Sequence, residues 1–213
     1  MSFRDDFRKM FPLLITPVGW YYLLYKMTIG KETKKIVVLG PADGGKTELW
    51  YGLQEKQRPQ VASTFNEPIN RFMLGLKEDC TPVYVEATND IGGGDECVSR
   101  YDDLLTEGTF VYFVLDITKI GSAEYKEQPL AQFVKIFSNL KNKKGAGVKI
   151  LATHIDEYNG DRSQGEKVVR DYLAPLEKHY GIDRAKLNVK LVNLKNASDI
   201  KEIREEVLKS VDK

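Results

Sequence analysis

The sequence predicts an α/β fold: a three-layer sandwich in which a six-stranded, mostly parallel sheet is covered by about five helices. From residue 35 onwards, strand patterns alternate with helix patterns, which is typical of parallel sheets with helices on both faces. A glycine-rich loop at residues 40–47 joins the first apolar run to the first helical segment. Residues 110–115 form the most apolar run of the domain, as expected for a central strand that is buried on both faces.

The composition of the chain excludes several classes of protein. Its 213 residues suffice for one α/β domain with a full core and an appendage. A net charge of +1 argues against a nucleic-acid partner, because no broad basic field is present. Two cysteines and two histidines provide neither a disulfide framework nor a zinc cluster. We therefore expect a protein of a reducing compartment such as the cytoplasm.

Residues 1–34 are predicted to be an N-terminal apolar and amphipathic appendage to a domain at residues 35–213. Within the appendage, residues 10–25 carry no charge and are rich in aromatic side chains, which suit a bilayer interface or a groove on a protein. This run is shorter than the roughly 20 apolar residues of a membrane-spanning helix, and prolines interrupt it. Three alternatives stay open: packing on a protein, peripheral attachment at the cytoplasmic face of a membrane, and a true span.

The strands and helices follow from apolar periodicity and turn residues. The six strands are predicted at residues 35–39, 71–76, 82–87, 110–115, 148–152 and 189–194. A short polar link joins the second strand to the third and predicts an antiparallel hairpin. The helices are predicted from the glycine-rich loop to residue 54 and at residues 97–105, 130–140, 163–180 and 199–211.

Local signals refine two of these predictions. Ser163 and Glu166 have the spacing of a capping box and are expected to open the fourth helix. Pro175 is expected to kink that helix, because proline lacks a backbone N–H and crowds the preceding turn. The polar residues 55–70 and the glycine-rich residues 89–96 are predicted to be loops.

The glycine-rich loop fits the pattern G-x-x-x-x-G-K-[ST] at every fixed position, between a strand and a helix. A phosphate chain needs inward-pointing backbone N–H groups and little side-chain bulk, which glycines and a helix N-terminus supply. Lys46 is expected to reach the β- and γ-phosphates, and the Thr47 hydroxyl to bind Mg²⁺. The motif predicts a P-loop NTPase fold. The candidate phosphate-binding residues of this loop are Gly40, Asp43, Gly44, Gly45, Lys46, Thr47 and Glu48.

The order of these elements resembles the small GTPases of the Ras superfamily, nearest the Arf-like and signal-recognition-particle-receptor-β-like branch. The resemblance covers about residues 35–211, and it implies that GTP or GDP binds together with Mg²⁺. In this family five motifs lie at the carboxyl ends of the strands, where open α/β sheets bind their ligands. It also implies that a protein effector or regulator contacts residues 55–70 and 90–105.

The second and third motifs of the family sense the γ-phosphate. Thr64 resembles the threonine of the first switch loop, which binds Mg²⁺ and closes on the γ-phosphate, with the neighbouring Ser63 as the alternative. The D-x-x-G motif of the second switch is matched by Asp90 and Gly93. The resemblance implies that Asp90 holds Mg²⁺ through water, and that the Gly93 N–H bonds the γ-phosphate and senses its loss.

One position departs from the family. After D-x-x-G the family usually carries a glutamine that orients the attacking water, whereas this chain has Gly94. Slow hydrolysis is therefore expected unless Asp95, Glu96 or a partner supplies the group. Arg58, which precedes the first switch, is a candidate internal arginine finger, with a solvated loop arginine as the alternative. The residues implied in hydrolysis are Lys46, Thr64, Gly93 and Gly94.

The remaining two motifs read the base. Thr153, His154 and Asp156 occupy the place of N-K-x-D directly after an apolar strand. A carboxylate at position 156 accepts hydrogen bonds from the guanine N1 and N2 donors, which adenine lacks. His154 replaces a lysine, and its ring can still stack on the base. In the place of the S-A-K loop, the backbone N–H groups of Leu194 and Lys195 are implied to contact guanine O6.

The expected function is a guanine-nucleotide-binding molecular switch that hydrolyses GTP slowly. The first alternative is a nucleotide-bound platform for a protein partner that does not hydrolyse, which Gly94 favours. The second alternative is an ATP-binding P-loop protein, because the apolar strand that ends at Asp116 also fits a Walker B strand. Asp90 and Asp156 favour guanine over adenine.

Overall fold

The computed structural model describes residues 32–57, 66–78, 81–123, 125, 127–183 and 187–209. The predictions for the apolar run of residues 10–25, for Arg58 and for Thr64 lie outside these described residues. Within them, no helix is both long enough and apolar enough to cross a membrane.

Eight strands are described, and six of them form the main sheet in the order β3-β4-β1-β6-β7-β8. The bounds are β1 Glu32–Leu39, β2 Asn66–Ile69, β3 Phe72–Leu76, β4 Pro82–Val85, β5 Thr88–Ile91, β6 Thr109–Asp116, β7 Gly147–Thr153 and β8 Val189–Leu191. All neighbours in this sheet are parallel except β3 and β4, which pair antiparallel. The prediction of six strands, mostly parallel with one hairpin, is confirmed.

Strands β2 and β5 form a separate two-stranded antiparallel sheet, and they correct two predictions. Residues 66–69 were expected in a loop and residues 89–91 in a glycine-rich loop. The sequence of β2 is polar and contains Pro68, so no apolar alternation marks it as a strand. Residues 66–69 form a strand because their backbone pairs with β5, and Glu67 lies opposite Asp90 in this pairing. The pairing also carries Asp90 on a strand rather than on a free loop.

Six α-helices and one 3₁₀ helix are described. The bounds are α1 Lys46–Leu53, a 3₁₀ helix Asp95–Arg100, α2 Tyr101–Leu104, α3 Gln128–Leu140, α4 Arg162–Tyr172, α5 Ala174–Tyr180 and α6 Ala197–Lys209. The interruption at Pro175 is confirmed, because α4 ends and α5 begins just before it. The helix predicted over residues 97–105 is instead the 3₁₀ helix followed by the short α2.

The predicted capping box was misplaced. Helix α4 is capped by Asp161, whose carboxylate accepts from the Gln164 N–H at 2.8 Å, while the Gln164 side chain accepts from the Asp161 N–H. Ser163 and Glu166 therefore lie inside the helix. Aspartate caps a helix as well as serine does. The sequence therefore contains two overlapping capping signals, and the one at Asp161 starts the helix.

The core lies on both faces of the main sheet, and β6 contributes to both. Val111 and Phe113 point into the cluster beneath α3 to α5, while Tyr112 and Val114 point into the cluster beneath α1 and α6. A fully buried side chain of this size stabilises the fold by roughly 1.5–3 kcal/mol. The carboxyl ends of β1, β6 and β7 are thereby held rigidly at one edge of the sheet, where the loops of the candidate site begin.

Candidate functional site

A pocket of about 310 Å³ opens at this edge of the sheet. Its wall comes from the glycine-rich loop and the start of α1, from the turn after β5, and from the loops after β7 and β8. The residues from four predicted motifs that line it include Lys46, Thr47, Gly93, Asp156 and Lys195. The structure thus brings together positions that are far apart in the sequence. The fifth motif, at Thr64, lies outside the described residues.

The glycine-rich loop lies directly on the backbone of β6. Gly40 has a φ of +140°, and a Cβ added there would lie 2.1 Å from the Val114 carbonyl oxygen. Only glycine satisfies both the backbone conformation and the close approach. The loop is further tied to β7 by the buried Thr153 hydroxyl, which lies 3.0 Å from the Gly44 carbonyl oxygen and 3.1 Å from that of Leu115.

Lys46 is buried within this loop. Its Nζ donates to the carbonyl oxygens of Gly40 at 3.1 Å and Pro41 at 2.7 Å. Burial lowers the pKa of Lys46 to about 8, although the nearby Asp90 and Asp43 carboxylates oppose the shift. An ammonium that is desolvated and held by neutral carbonyls gains most from an anion placed beside it. The pocket therefore presents a cation whose preferred partner is a strongly negative group.

Two predicted Mg²⁺-binding groups are in direct contact. The Thr47 hydroxyl donates to a carboxylate oxygen of Asp90 at 2.6 Å, and Asp90 is only 2% exposed. A hydroxyl and a carboxylate are hard oxygen donors of the kind that Mg²⁺ prefers. Among the described residues, no group of three or more His, Cys, Asp or Glu side chains could hold a metal by itself. The donor set fits an ion that takes its remaining ligands from phosphates and water.

Gly93 is held between the glycine-rich loop and α3. A Cβ at position 93 would lie 2.0 Å from the Ala42 nitrogen, so no other residue fits there without a shift of the backbone. From the other side, the buried Gln132 side chain donates to the Gly93 carbonyl oxygen at 3.0 Å. Sequence reasoning missed Gln132. It lies on the apolar stripe of α3, where an amide is unfavourable unless it makes a specific hydrogen bond, and that conflict was a readable signal.

Asp43 and Glu48 complete the predicted phosphate side of the pocket. Asp43 has a φ of +58°, and its carboxylate pairs with Lys119 at 3.1 Å on the loop after β6. Glu48 lies in the first turn of α1 and lines the pocket. A carboxylate repels phosphate, so these two residues border the pocket rather than contribute binding charge.

His154 and Asp156 line the pocket from the loop after β7. His154 has a φ of +59°, and its Nδ1 lies 2.9 Å from the Thr153 hydroxyl and 3.6 Å from an Asp116 carboxylate oxygen. Asp156 lies 3.4 Å from the Lys195 ammonium, which also pairs with Glu157 at 2.7 Å. Hydrogen bonds to Glu157 and Asp156 raise the pKa of Lys195. A carboxylate and an imidazole therefore line this part of the pocket wall.

One predicted contact differs in detail. The backbone N–H of Lys195 donates to the Asn193 side-chain oxygen at 2.9 Å, which closes a local turn. This N–H was expected to contact guanine O6. In the described conformation it is already used, so that contact requires Asn193 to release it.

Comparisons with known proteins support the fold. No family model and no curated protein matches the sequence. In structure, the chain is similar to a solved chain titled "The Structure of the Mammalian SRP Receptor", with a TM-score of 0.58 and 14% identity. The match covers 83% of this chain and 99% of that chain. At this identity the likeness establishes the fold alone, an α/β sandwich of the P-loop type.

Proposed function

We propose that the chain is a guanine-nucleotide-binding switch that binds GTP or GDP with Mg²⁺ and hydrolyses GTP slowly. The observation that carries the proposal is one pocket lined by Lys46, Thr47, Gly93 and Asp156, in which Thr47 is hydrogen-bonded to the buried Asp90. Each group suits one part of a guanine nucleotide. The fold similarity supports the same function without establishing it.

The phosphate end of the pocket is built for charge. The N–H groups of the glycine-rich loop and the N-terminus of α1 face the phosphates, and Lys46 turns from its loop carbonyls to the β- and γ-phosphates. Thr47 and Asp90 would hold Mg²⁺, with Thr64 as a third proposed ligand. The ion would supply positive charge that neutralises the phosphates. Gly93 presents its backbone to the γ-phosphate, so that its position depends on whether that phosphate is present.

The base end of the pocket distinguishes guanine from adenine. The Asp156 carboxylate accepts from guanine N1–H and N2–H₂, and these two charge-assisted hydrogen bonds have no counterpart in adenine. His154 lies beside it and offers a flat face for stacking on the base. The Lys195 ammonium pairs with the Asp156 carboxylate in the free protein. We expect this ion pair to persist when the base binds.

A nucleotide-gated platform for a protein partner is the second candidate function. The absence of a side chain at Gly94 favours it, because the family's water-orienting glutamine has no replacement at that position. In both functions, residues 55–70 and 90–105 are the proposed contacts for a protein effector or regulator. Residues 10–25 are the proposed contact for a membrane surface at its cytoplasmic face or for a partner groove.

The test replaces the carboxylate at position 156, which only accepts hydrogen bonds, with an amide that also donates them. Asp156→Asn is expected to weaken guanine-nucleotide binding by about 10- to 100-fold, because hydrogen bonds to a charged acceptor contribute about 1.5–3 kcal/mol. The same variant should improve binding of xanthosine diphosphate, whose 2-oxo group accepts from the new amide. Glu157→Gln is the matched control, because Glu157 neighbours Asp156 and also pairs with Lys195. Equal guanine affinity in wild type and Asp156→Asn would overturn the proposal.

A further inference from the structure

Position 94 has no side chain, but the space beside it is filled. A Cβ added to Gly94 would lie 2.2 Å and 2.4 Å from the two carboxylate oxygens of Glu96. The Glu96 side chain therefore folds back over the α-carbon of Gly94. Its carboxylate occupies the place from which a side chain at position 94 would extend.

The local backbone accounts for this placement. Gly94 has a φ of −71° and a ψ of 158°, an extended conformation, and it is the residue at which the 3₁₀ helix Asp95–Arg100 starts. The Cys97 N–H donates to the Gly94 carbonyl oxygen at 3.0 Å and closes the first turn. Side chains of helical residues lean toward the helix N-terminus, so Glu96 is directed back toward Gly94.

The neighbouring carboxylate is directed elsewhere. Asp95 accepts a hydrogen bond from the Gln128 side chain at 2.9 Å and so faces α3. Further along the same two elements, the Lys135 ammonium donates to the Val98 carbonyl oxygen at 3.0 Å. Helix α3 thus fixes the 3₁₀ helix, and within it only one of the two adjacent carboxylates lies over Gly94.

This carboxylate lies just outside the lining of the pocket, over the residue that follows Gly93. Gly93 lines the pocket together with Lys46 and Thr47, and Gly94 is its immediate neighbour. In the described conformation Gly93 packs closely on Ala42 and accepts a hydrogen bond from Gln132. Glu96 is exposed to solvent, so water reaches its carboxylate. A hydrogen-bond acceptor with access to water therefore lies over the residue that follows Gly93.

We propose that Glu96 is the catalytic residue that orients and deprotonates the attacking water, a proposal that rests on the proposed GTP hydrolysis. The water oxygen forms a bond to the γ-phosphorus, and the bond from phosphorus to the β,γ-bridging oxygen breaks. The electron pair of that bond leaves with GDP. The proton of the water passes to the Glu96 carboxylate and from there to solvent. General-base assistance of this kind contributes about 10²- to 10⁴-fold to a rate.

The test is single-turnover phosphate release from GTP bound to the full chain with Mg²⁺, at matched nucleotide occupancy. Glu96→Ala is expected to lower the rate at least tenfold while GDP affinity changes less than twofold. Asp95→Asn, the matched control, keeps its acceptor for Gln128 and should hydrolyse within twofold of wild type. Equal rates for Glu96→Ala and wild type, or equal losses in the two variants, would overturn the proposal.

Two further measurements separate chemistry from a merely structural role. Glu96→Gln keeps an oxygen that accepts from water but cannot take its proton, so its rate should lie between those of wild type and Glu96→Ala. Gly94→Gln in the Glu96→Ala background places a glutamine in the vacated space and should restore part of the rate. A rate for Glu96→Gln equal to that of wild type, or no recovery in the double variant, contradicts the assignment.

The binding arm of the experiment separates this inference from the proposed function. Wild-type protein that binds GTP and GDP but releases no phosphate overturns the role of Glu96 and leaves nucleotide binding intact. Wild-type protein that binds no guanine nucleotide overturns both proposals.

Discussion

The buried lysine of the glycine-rich loop makes nucleotide affinity depend on pH with a defined sign. Burial lowers the pKa of Lys46 from 10.5 to about 8 in the free protein. A polyphosphate beside the ammonium stabilises its charged form and raises the pKa again. Below pH 8 the lysine is already charged and binding has its full strength. Above pH 8 binding requires proton uptake, so affinity falls as pH rises.

The magnitude follows from that pKa. If Lys46 stays charged in the complex, the ratio of affinities between pH 7 and pH 9 is about tenfold. At pH 8 each nucleotide bound should take up about 0.5 proton. The phosphates add little to this change, because their last ionisation lies near pH 6. The expected loss of affinity above pH 8 therefore arises from Lys46 and not from ionisation of the nucleotide.

Calorimetry measures both quantities in one series. GDP with Mg²⁺ is titrated into the full chain at pH 7, 8 and 9, in two buffers whose ionisation enthalpies differ, so that proton uptake appears as a difference in heat. Lys46→Ala should abolish the binding heat. This control shows that the heat measured with the wild-type protein comes from binding in the pocket. An affinity that is constant or rises between pH 7 and pH 9, or proton release on binding, would refute the placement of Lys46 beside the phosphates.

The remaining predictions concern the two close approaches at the pocket. Gly40→Ala should lower the free energy of unfolding by about 3 kcal/mol or more, because its Cβ would lie 2.1 Å from a carbonyl oxygen at a φ of +140°. Gly121→Ala, where no atom of the described residues lies within 4 Å of the added Cβ, should change it by less than about 0.5 kcal/mol in the same denaturant titration. Equal midpoints for the two variants would contradict the packing of the loop on β6. Gln132→Leu removes the hydrogen bond to Gly93, worth about 0.5–1.5 kcal/mol, and should speed amide exchange of the 3₁₀ helix by up to about tenfold. Exchange that stays at the wild-type rate would show that α3 does not hold this segment.

The sequence was informative where short-range patterns determine structure. The apolar runs that became β1, β6 and β7 are read directly, because a strand buried on both faces needs apolar residues at every position. The glycine-rich loop is read equally well, since close backbone approach at Gly40 excludes other residues. The carboxyl ends of parallel strands meet at one edge of the sheet because of the topology alone. For this reason the place of Asp156 in the pocket could be predicted from the sequence.

The sequence was less informative where distant partners determine structure. Strand β2 exists through pairing with β5, and its own residues carry no strand signal. The buried amide of Gln132 is explained only by its hydrogen bond to Gly93, which is distant in the sequence. The position of the Glu96 carboxylate over Gly94 depends on the local backbone conformation, which the residue types do not reveal. The predicted roles of Thr64 and Arg58 stay predictions, because both residues lie outside the described part of the chain.

The central claim, that this pocket reads guanine, is tested most directly by nucleotide competition. The full chain is loaded with a fluorescent GDP analogue and Mg²⁺, and the bound analogue is displaced with unlabelled GDP, GTP or ATP. Displacement by GDP and GTP at micromolar concentrations, with ATP at least about 100-fold weaker, is the predicted result, because two hydrogen bonds to Asp156 are lost with adenine. Displacement by ATP as readily as by GTP, or no binding of the guanine analogue, would contradict it.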